Sequence, residues 1–232
     1  MTRRDTLEYL HPPKQYYRHC HRQRKKETHM NIYVSKYMSG KMQGIHSIST
    51  SVLANPVCRA RRKNPNSICS HCYAVNTLNR YHAAERHYAE NFHLLNDHLL
   101  TAGEIPVINA SIFRLESFGD LASPTQAENY LRIASANPWC TFAIWTKNPG
   151  FMDKAIRRAG KPKNLICILS SEKLNCVSQA YRNYAWVDHV FTVYDKEHKP
   201  DAEINCGARS CMGCRRCYTL GNEEFFISER LK

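Results

Sequence analysis

Cys58, Cys69 and Cys72 are the residues whose type and spacing speak most directly of chemistry. Ten residues separate the first two and two separate the last two, in the run Cys69-Ser70-His71-Cys72. Thiolates bind iron and zinc, and a gap of two residues lets both sulfurs face one metal group. Three thiolates leave a four-coordinate site one ligand short. A structural zinc site wants four ligands, whereas a four-iron cluster suits three and keeps one iron open to an exogenous ligand. The main rival is zinc completed by His71, His46 or a remote cysteine. Unligated cysteines at this spacing are the weakest case.

A second group, Cys206, Cys211, Cys214 and Cys217, packs four thiols into twelve residues. Its C-x2-C-x2-C run is similar to the tight spacing of ferredoxin loops, although here the fourth cysteine precedes the run. Zinc ribbons split their cysteines into two distant pairs, so the tight set favours a cluster, with zinc as the alternative. Gly207 and Gly213 give the loop backbone freedom. Arg209, Arg215 and Arg216 would offset the charge of a thiolate-bound cluster. Cys20, Cys140, Cys167 and Cys176 stand alone and read as small buried hydrophobes.

Two weaker signals accompany the cysteines. In Glu116-Ser117-Phe118-Gly119-Asp120, glycine permits close approach to a ligand, and the two carboxylates suit an amine or hydroxyls. The plainer reading is a strand-end turn with Asp120 accepting from a helix start. Lys147 follows the apolar run Thr141–Trp145 and could hold an anionic group at a strand end, or simply be exposed. His82, His87, His93 and His98 read as solvated helix positions.

These residues need elements to position them. Ile45–Leu53 alternates apolar and polar residues and is expected to be a strand that leads into the first cysteine loop. Residues 77–100 lack Gly and Pro and carry an apolar stripe at helical spacing, so one long helix is expected there. Strands are expected at Val107–Leu115, Thr141–Thr146, Asn164–Leu169 and His189–Tyr194. Helices are expected from Ser123-Pro124 to about Ala136, over Gly150–Ala159, and near Cys176–Tyr184. Strands alternating with helices define an α/β fold with a parallel sheet, five or six units falling between residues 45 and 195. A partial barrel and an open doubly wound sheet both satisfy the spacing. In either, ligands gather at the carboxyl ends of the strands, where the loop 55–72, the turn 116–120 and Thr146–Asn148 all belong.

The division expected is a basic extension over residues 1–30, a βα core over 31–200 and a four-cysteine segment over 201–232. The formal charge is +13, with eight Lys/Arg against three acids in residues 1–29. That balance favours a polyanion such as nucleic acid, or it is only a solvated surface. No apolar run approaches the roughly 18 residues of a membrane span, and no signal region opens the chain. The expected location is the cytoplasm, that of the host cell if the chain is phage-encoded, where clustered cysteines mean metal more often than disulfides.

Taken together, four stretches resemble the phage gene-product-88 family: ICSHCYA at 68–74, FRLESFGDL at 113–121, YLRIASANP at 130–138 and FAIWTKNP at 142–149. The family pattern is a cysteine pair followed by Tyr-Ala, a strand ending in Ser-Gly-Asp, and an aromatic-Thr-Lys. Here Phe118 stands between Ser117 and Gly119. More distantly, the arrangement resembles the radical S-adenosylmethionine (SAM) enzymes, although their commonest cysteine spacing is three then two residues. That resemblance implies a partial (βα)6 TIM-like barrel of the radical-SAM type with a Cys-rich C-terminal extension. It implies a [4Fe-4S] cluster on Cys58, Cys69 and Cys72, with His71 in the place of the aromatic residue before the last cysteine. It also implies SAM held by Glu116, Ser117, Gly119 and Asp120, and Asp120 and Lys147 as the residues closest to the chemistry. A reductant of flavodoxin or ferredoxin type would be a partner. The competing function is a non-catalytic, cluster- or zinc-stabilised nucleic-acid-binding protein, and a redox sensor is a third.

Overall fold

The computed structural model describes residues 31–198 and 203–231. The basic extension 1–30, with Cys20, lies outside the described residues. Six parallel strands form one open sheet: β1 His46–Ile48, β2 Ile112–Leu115, β3 Thr141–Thr146, β4 Leu165–Ser170, β5 His189–Tyr194 and β6 Phe226–Arg230. They lie side by side in chain order. A doubly wound sheet reverses its strand order at a switch point. This sheet has no reversal, so of the two expected architectures the doubly wound one is excluded.

Five strands fall between residues 45 and 195, and the sixth comes from the C-terminal segment. Phe226–Arg230 pairs with Val190–Tyr194, so the four-cysteine loop is an insertion between two neighbouring strands. The helices are α1 Pro56–Arg62, α2 Tyr73–Arg80, α3 His82–Asp97, α4 Pro124–Ala136, α5 Pro149–Ala159 and the short α6 Cys211–Cys214.

Alternation along the strands sends side chains to two different cores. Phe113, Leu115, Phe142, Ile144, Leu165 and Cys167 join one large core with α3, α4 and α5 residues such as Leu95, Tyr130 and Met152. Ile112, Ala143, Ile166 and Ile168 face the other way and meet Tyr218, Met212, Cys211 and Cys217 of the C-terminal loop. The sheet is therefore covered on both faces, by helices on one and by the cysteine loop on the other.

Several expected elements are shorter than the hydrophobic pattern suggests, for identifiable reasons. β1 stops at Ile48 because Ser49, Thr50 and Ser51 turn the chain. Ser51 Oγ accepts from the Leu53 and Ala54 N–H groups and donates to Glu85. β2 begins only at Ile112, since side chains satisfy the backbone before it. Asn137 bonds the Pro106 carbonyl and the Ile108 N–H, and Trp139 Nε1 donates to the Ile108 carbonyl. The expected helix 77–100 is two helices, broken at Tyr81 (φ −112°, ψ 75°), and no Gly or Pro marks the break. Asn129 closes α3 by donating to the Leu95 and His98 carbonyls. The helix expected near 176–184 is only a 3-10 turn, Gln179–Asn183. α4 begins as expected, with Ser123 Oγ accepting from the Gln126 N–H.

Candidate metal centre

The first cysteine loop is built from three short pieces after β1. Asn55, fully buried, caps α1 by accepting from the Val57 and Cys58 N–H groups. Its amide also donates to the Asp120 carbonyl at 2.7 Å, which ties the start of α1 to the end of β2. Cys69 sits in a 3-10 turn, Ile68–His71, capped by Ser67. Cys72 stands at the start of α2. There the positive end of the helix favours a thiolate.

All three thiols are half-buried, and Cys58 and Cys72 pack against a small core of Val52, Ala74, Leu78 and Tyr88. Burial pushes the Cys58 thiol well up, and the nearby Asp120, Glu116, Cys69 and Cys72 add to the effect. That thiol stays protonated until a metal displaces its proton. Between Cys69 and Cys72, the Ser70 hydroxyl is buried without a hydrogen-bond partner. Orphaned polar atoms of this kind are rare in folded proteins and mark a place where a bound group belongs. Three thiols beside such an atom fit a thiolate-ligated metal group.

The loop is anchored across the carboxyl ends of four strands by Arg61. Its guanidinium donates to Asp120 Oδ2 at 3.1 Å, to the Lys147 carbonyl at 2.9 Å and to Asn148 Oδ1 at 2.8 Å, and pairs with Glu172 at 3.2 Å. Glu172, just past β4, also receives the Ile68 N–H on its carbonyl. The loop 55–72, the turn 116–120 and residues 146–148 thus meet in one place.

The turn itself is locked from within. Asp120 is buried, and its carboxylate accepts from Thr146 Oγ1 at 2.7 Å and from the Leu121 and Lys147 N–H groups. Glu116 is buried and accepts from Thr50, Gln126 and Tyr130. Burial raises its pKa to about 8, against the lowering effect of the Tyr130 and Thr50 hydrogen bonds. Gly119 (φ 91°) lies so close to Thr50 and Glu116 that a Cβ would sit 2.3 Å from Thr50 Oγ1. Ser117 Oγ bonds Ser49 Oγ at 2.6 Å and Ser47 Oγ at 3.1 Å, and its carbonyl accepts from Tyr73. Lys147 is half-buried, and its ammonium bonds no described residue. His71 is exposed.

The second group is held against the other face of the sheet. Cys206 lies beside β6, its N–H donating to the Ser228 carbonyl. Ser210 caps α6, Arg215 turns the chain in the left-handed region (φ 52°), and Cys217 follows in the 3-10 turn Arg216–Tyr218. All four cysteines line one cavity of about 30 Å³ together with Lys41 and Tyr218. Lys41 Nζ reaches Cys206 Sγ at 3.8 Å and Glu229 at 2.8 Å. Burial pushes the Cys217 thiol up to about 12 and raises those of Cys206 and Cys211. Four thiols, a shared cavity and an adjacent cation fit a thiolate-bound metal.

Among the described residues, no three His, Cys, Asp or Glu side chains are arranged around a single ion. A four-iron cluster places a different demand, since each thiolate binds a separate iron. Of the lone cysteines, Cys140 and Cys167 are buried as expected, and burial pushes both thiols up to about 12. Cys176 is exposed, because its segment is a loop and not a core helix.

Asn55, Arg61 and Arg114 were not legible as site residues. Asn55-Pro56 carries a capping signal that could have been read. Arg61 was hidden inside the basic run 59–63, and Arg114 inside a strand.

An open, all-parallel α/β sheet carrying two cysteine loops, one at its carboxyl edge and one on its face, defines the molecule. The chain belongs to the gene product 88 family, whose pattern matches residues 18–224. The match covers both cysteine groups and begins within the basic extension. No curated protein and no solved structure matches the chain. No helix among the described residues is long and apolar enough to cross a membrane.

Proposed function

We propose that this chain is an iron–sulfur protein and a radical-SAM-like enzyme whose sheet is a partial (βα)6 barrel. The observation that carries the reading is three half-buried thiols in one loop, fastened across the carboxyl ends of consecutive parallel strands. Catalytic groups gather at that edge in barrels of this kind. A four-iron cluster on Cys58, Cys69 and Cys72 would offer SAM one iron without a protein ligand, and reductive cleavage there yields a 5′-deoxyadenosyl radical.

The chain's own residues hold and orient. Glu116 and Asp120, engaged by protein donors, act as positioning residues that set the turn 116–120 and the end of β3. Lys147 is the cation left to meet the SAM carboxylate, its ribose or a substrate. Arg59, Arg62 and Lys63 are exposed on the helix that carries Cys58, which favours a polyanionic substrate such as nucleic acid. Cys206, Cys211, Cys214 and Cys217 hold a second metal group, a cluster or zinc, closed by four ligands.

The test is reduction of anaerobically purified protein in the presence of SAM. 5′-Deoxyadenosine should form, and Cys69→Ala should abolish it. Iron-loaded protein that leaves SAM intact would sink the enzyme reading. The same exposed cations support the second reading, a metal-braced nucleic-acid-binding protein, which requires affinity that falls steeply with salt.

A further inference from the structure

Arg114 is a cation in the middle of β2, on the sheet face otherwise occupied by Ile112, Ala143, Ile166 and Ile168. Its guanidinium lies 3.7 Å over the Trp145 ring, and Trp145 in turn contacts Tyr218 at 5.7 Å between centroids. Among the described residues it forms no ion pair with an Asp or Glu. Its Nε is buried with no hydrogen-bond partner, and so is the Tyr218 hydroxyl. A buried cation and two orphaned donors on an apolar face are costly unless an anion meets them.

The loop covering that face brings thiols, with Cys211 and Cys217 both within the electrostatic reach of Arg114. Neutral thiols do not satisfy a guanidinium. Four thiolates around a divalent ion leave a net charge of about −2, which does. Lys41 approaches the same set at Cys206, so two cations converge on one group of four thiols. Tyr218 lines the cavity those thiols share.

We infer that Arg114 Nε–H and the Tyr218 hydroxyl donate to the metal-bound thiolates of the Cys206–Cys217 loop, and that Arg114 balances their charge from the sheet. This rests on the reading of that loop as a metal site. Groups that hydrogen-bond to metal ligands tune affinity and redox potential, and losing one typically costs about 10–100-fold in metal affinity.

The experiment uses the full chain carrying Cys69→Ala and Cys72→Ala, so that metal at the C-terminal loop alone is read. Release of that metal to EDTA is followed with its thiolate absorption band. Arg114→Gln should release metal about 10–100-fold more readily and shift the band. Arg114→Lys should recover part of the loss. Tyr218→Phe removes one oxygen from a packed ring and should weaken retention in the same direction, which covers the case in which Arg114→Gln does not fold. Unchanged retention and an unchanged band in both Arg114→Gln and Tyr218→Phe would overturn the inference and leave the metal reading standing. Metal content unaltered by serine at Cys211 and Cys214 would overturn both.

Discussion

Arg61 donates to Asp120, Asn148 and the Lys147 carbonyl and pairs with Glu172, so one guanidinium joins four segments of the site. Its side chain is 15% exposed and that of Asp120 is 8%, which puts the pair in the buried regime. Removing one partner there leaves an uncompensated charge, and Arg61→Met is expected to cost about 3–5 kcal/mol in urea unfolding. The neighbouring Arg62→Met, exposed, should change stability by less than about 0.5 kcal/mol. Sequence alone could not separate these two arginines, because a run of charge does not say which side chain turns inward. Glu116 carries the second prediction at this scale. Its carboxyl, ordinarily near 4.5, is raised to about 8 by burial, so the folded chain holds a proton the unfolded chain has lost between those values. Stability therefore falls as pH rises through that window, and Glu116→Gln should flatten the slope in a series of melting temperatures.

The turn 116–120 shows what a short element owes to its neighbours. Gly119 has a positive φ and no room for a Cβ beside Thr50 and Glu116, so Gly119→Ala should cost about 3 kcal/mol or more in thermal or urea unfolding. Gly103→Ala, with nothing within 4 Å, serves as the near-neutral comparison. Strands β3 and β5 and helix α4 were legible because apolar alternation, length and a Ser-Pro start all agree. β1 and β2 were overestimated where hydroxyl and amide side chains, Ser51 and Asn137, satisfy backbone groups a strand would have paired. Local pattern does not register that substitution. The small helix α1 was missed because the loop around Cys58 was read for ligands and not for caps.

Across the whole molecule, the largest departure from expectation is the C-terminal segment. It was expected as an extension, and it supplies the sixth strand while carrying its cysteines across the sheet face. The apolar run at 225–227 is too short for periodicity to reveal a partner as distant in sequence as β5. The βα alternation and the parallel sheet were legible, whereas strand order was not, since spacing permits more than one winding. Both cysteine groups were legible as groups, and the structure adds Arg61 behind the first and Arg114 behind the second. The central claim, a cluster on Cys58, Cys69 and Cys72, is met most directly by iron and acid-labile sulfide counted per chain after purification without oxygen. The account predicts about four iron and four sulfide lost together when those three cysteines are replaced by alanine, while metal at Cys206–Cys217 remains. Iron and sulfide unchanged by that replacement, or zinc with no iron in the parent chain, would contradict it.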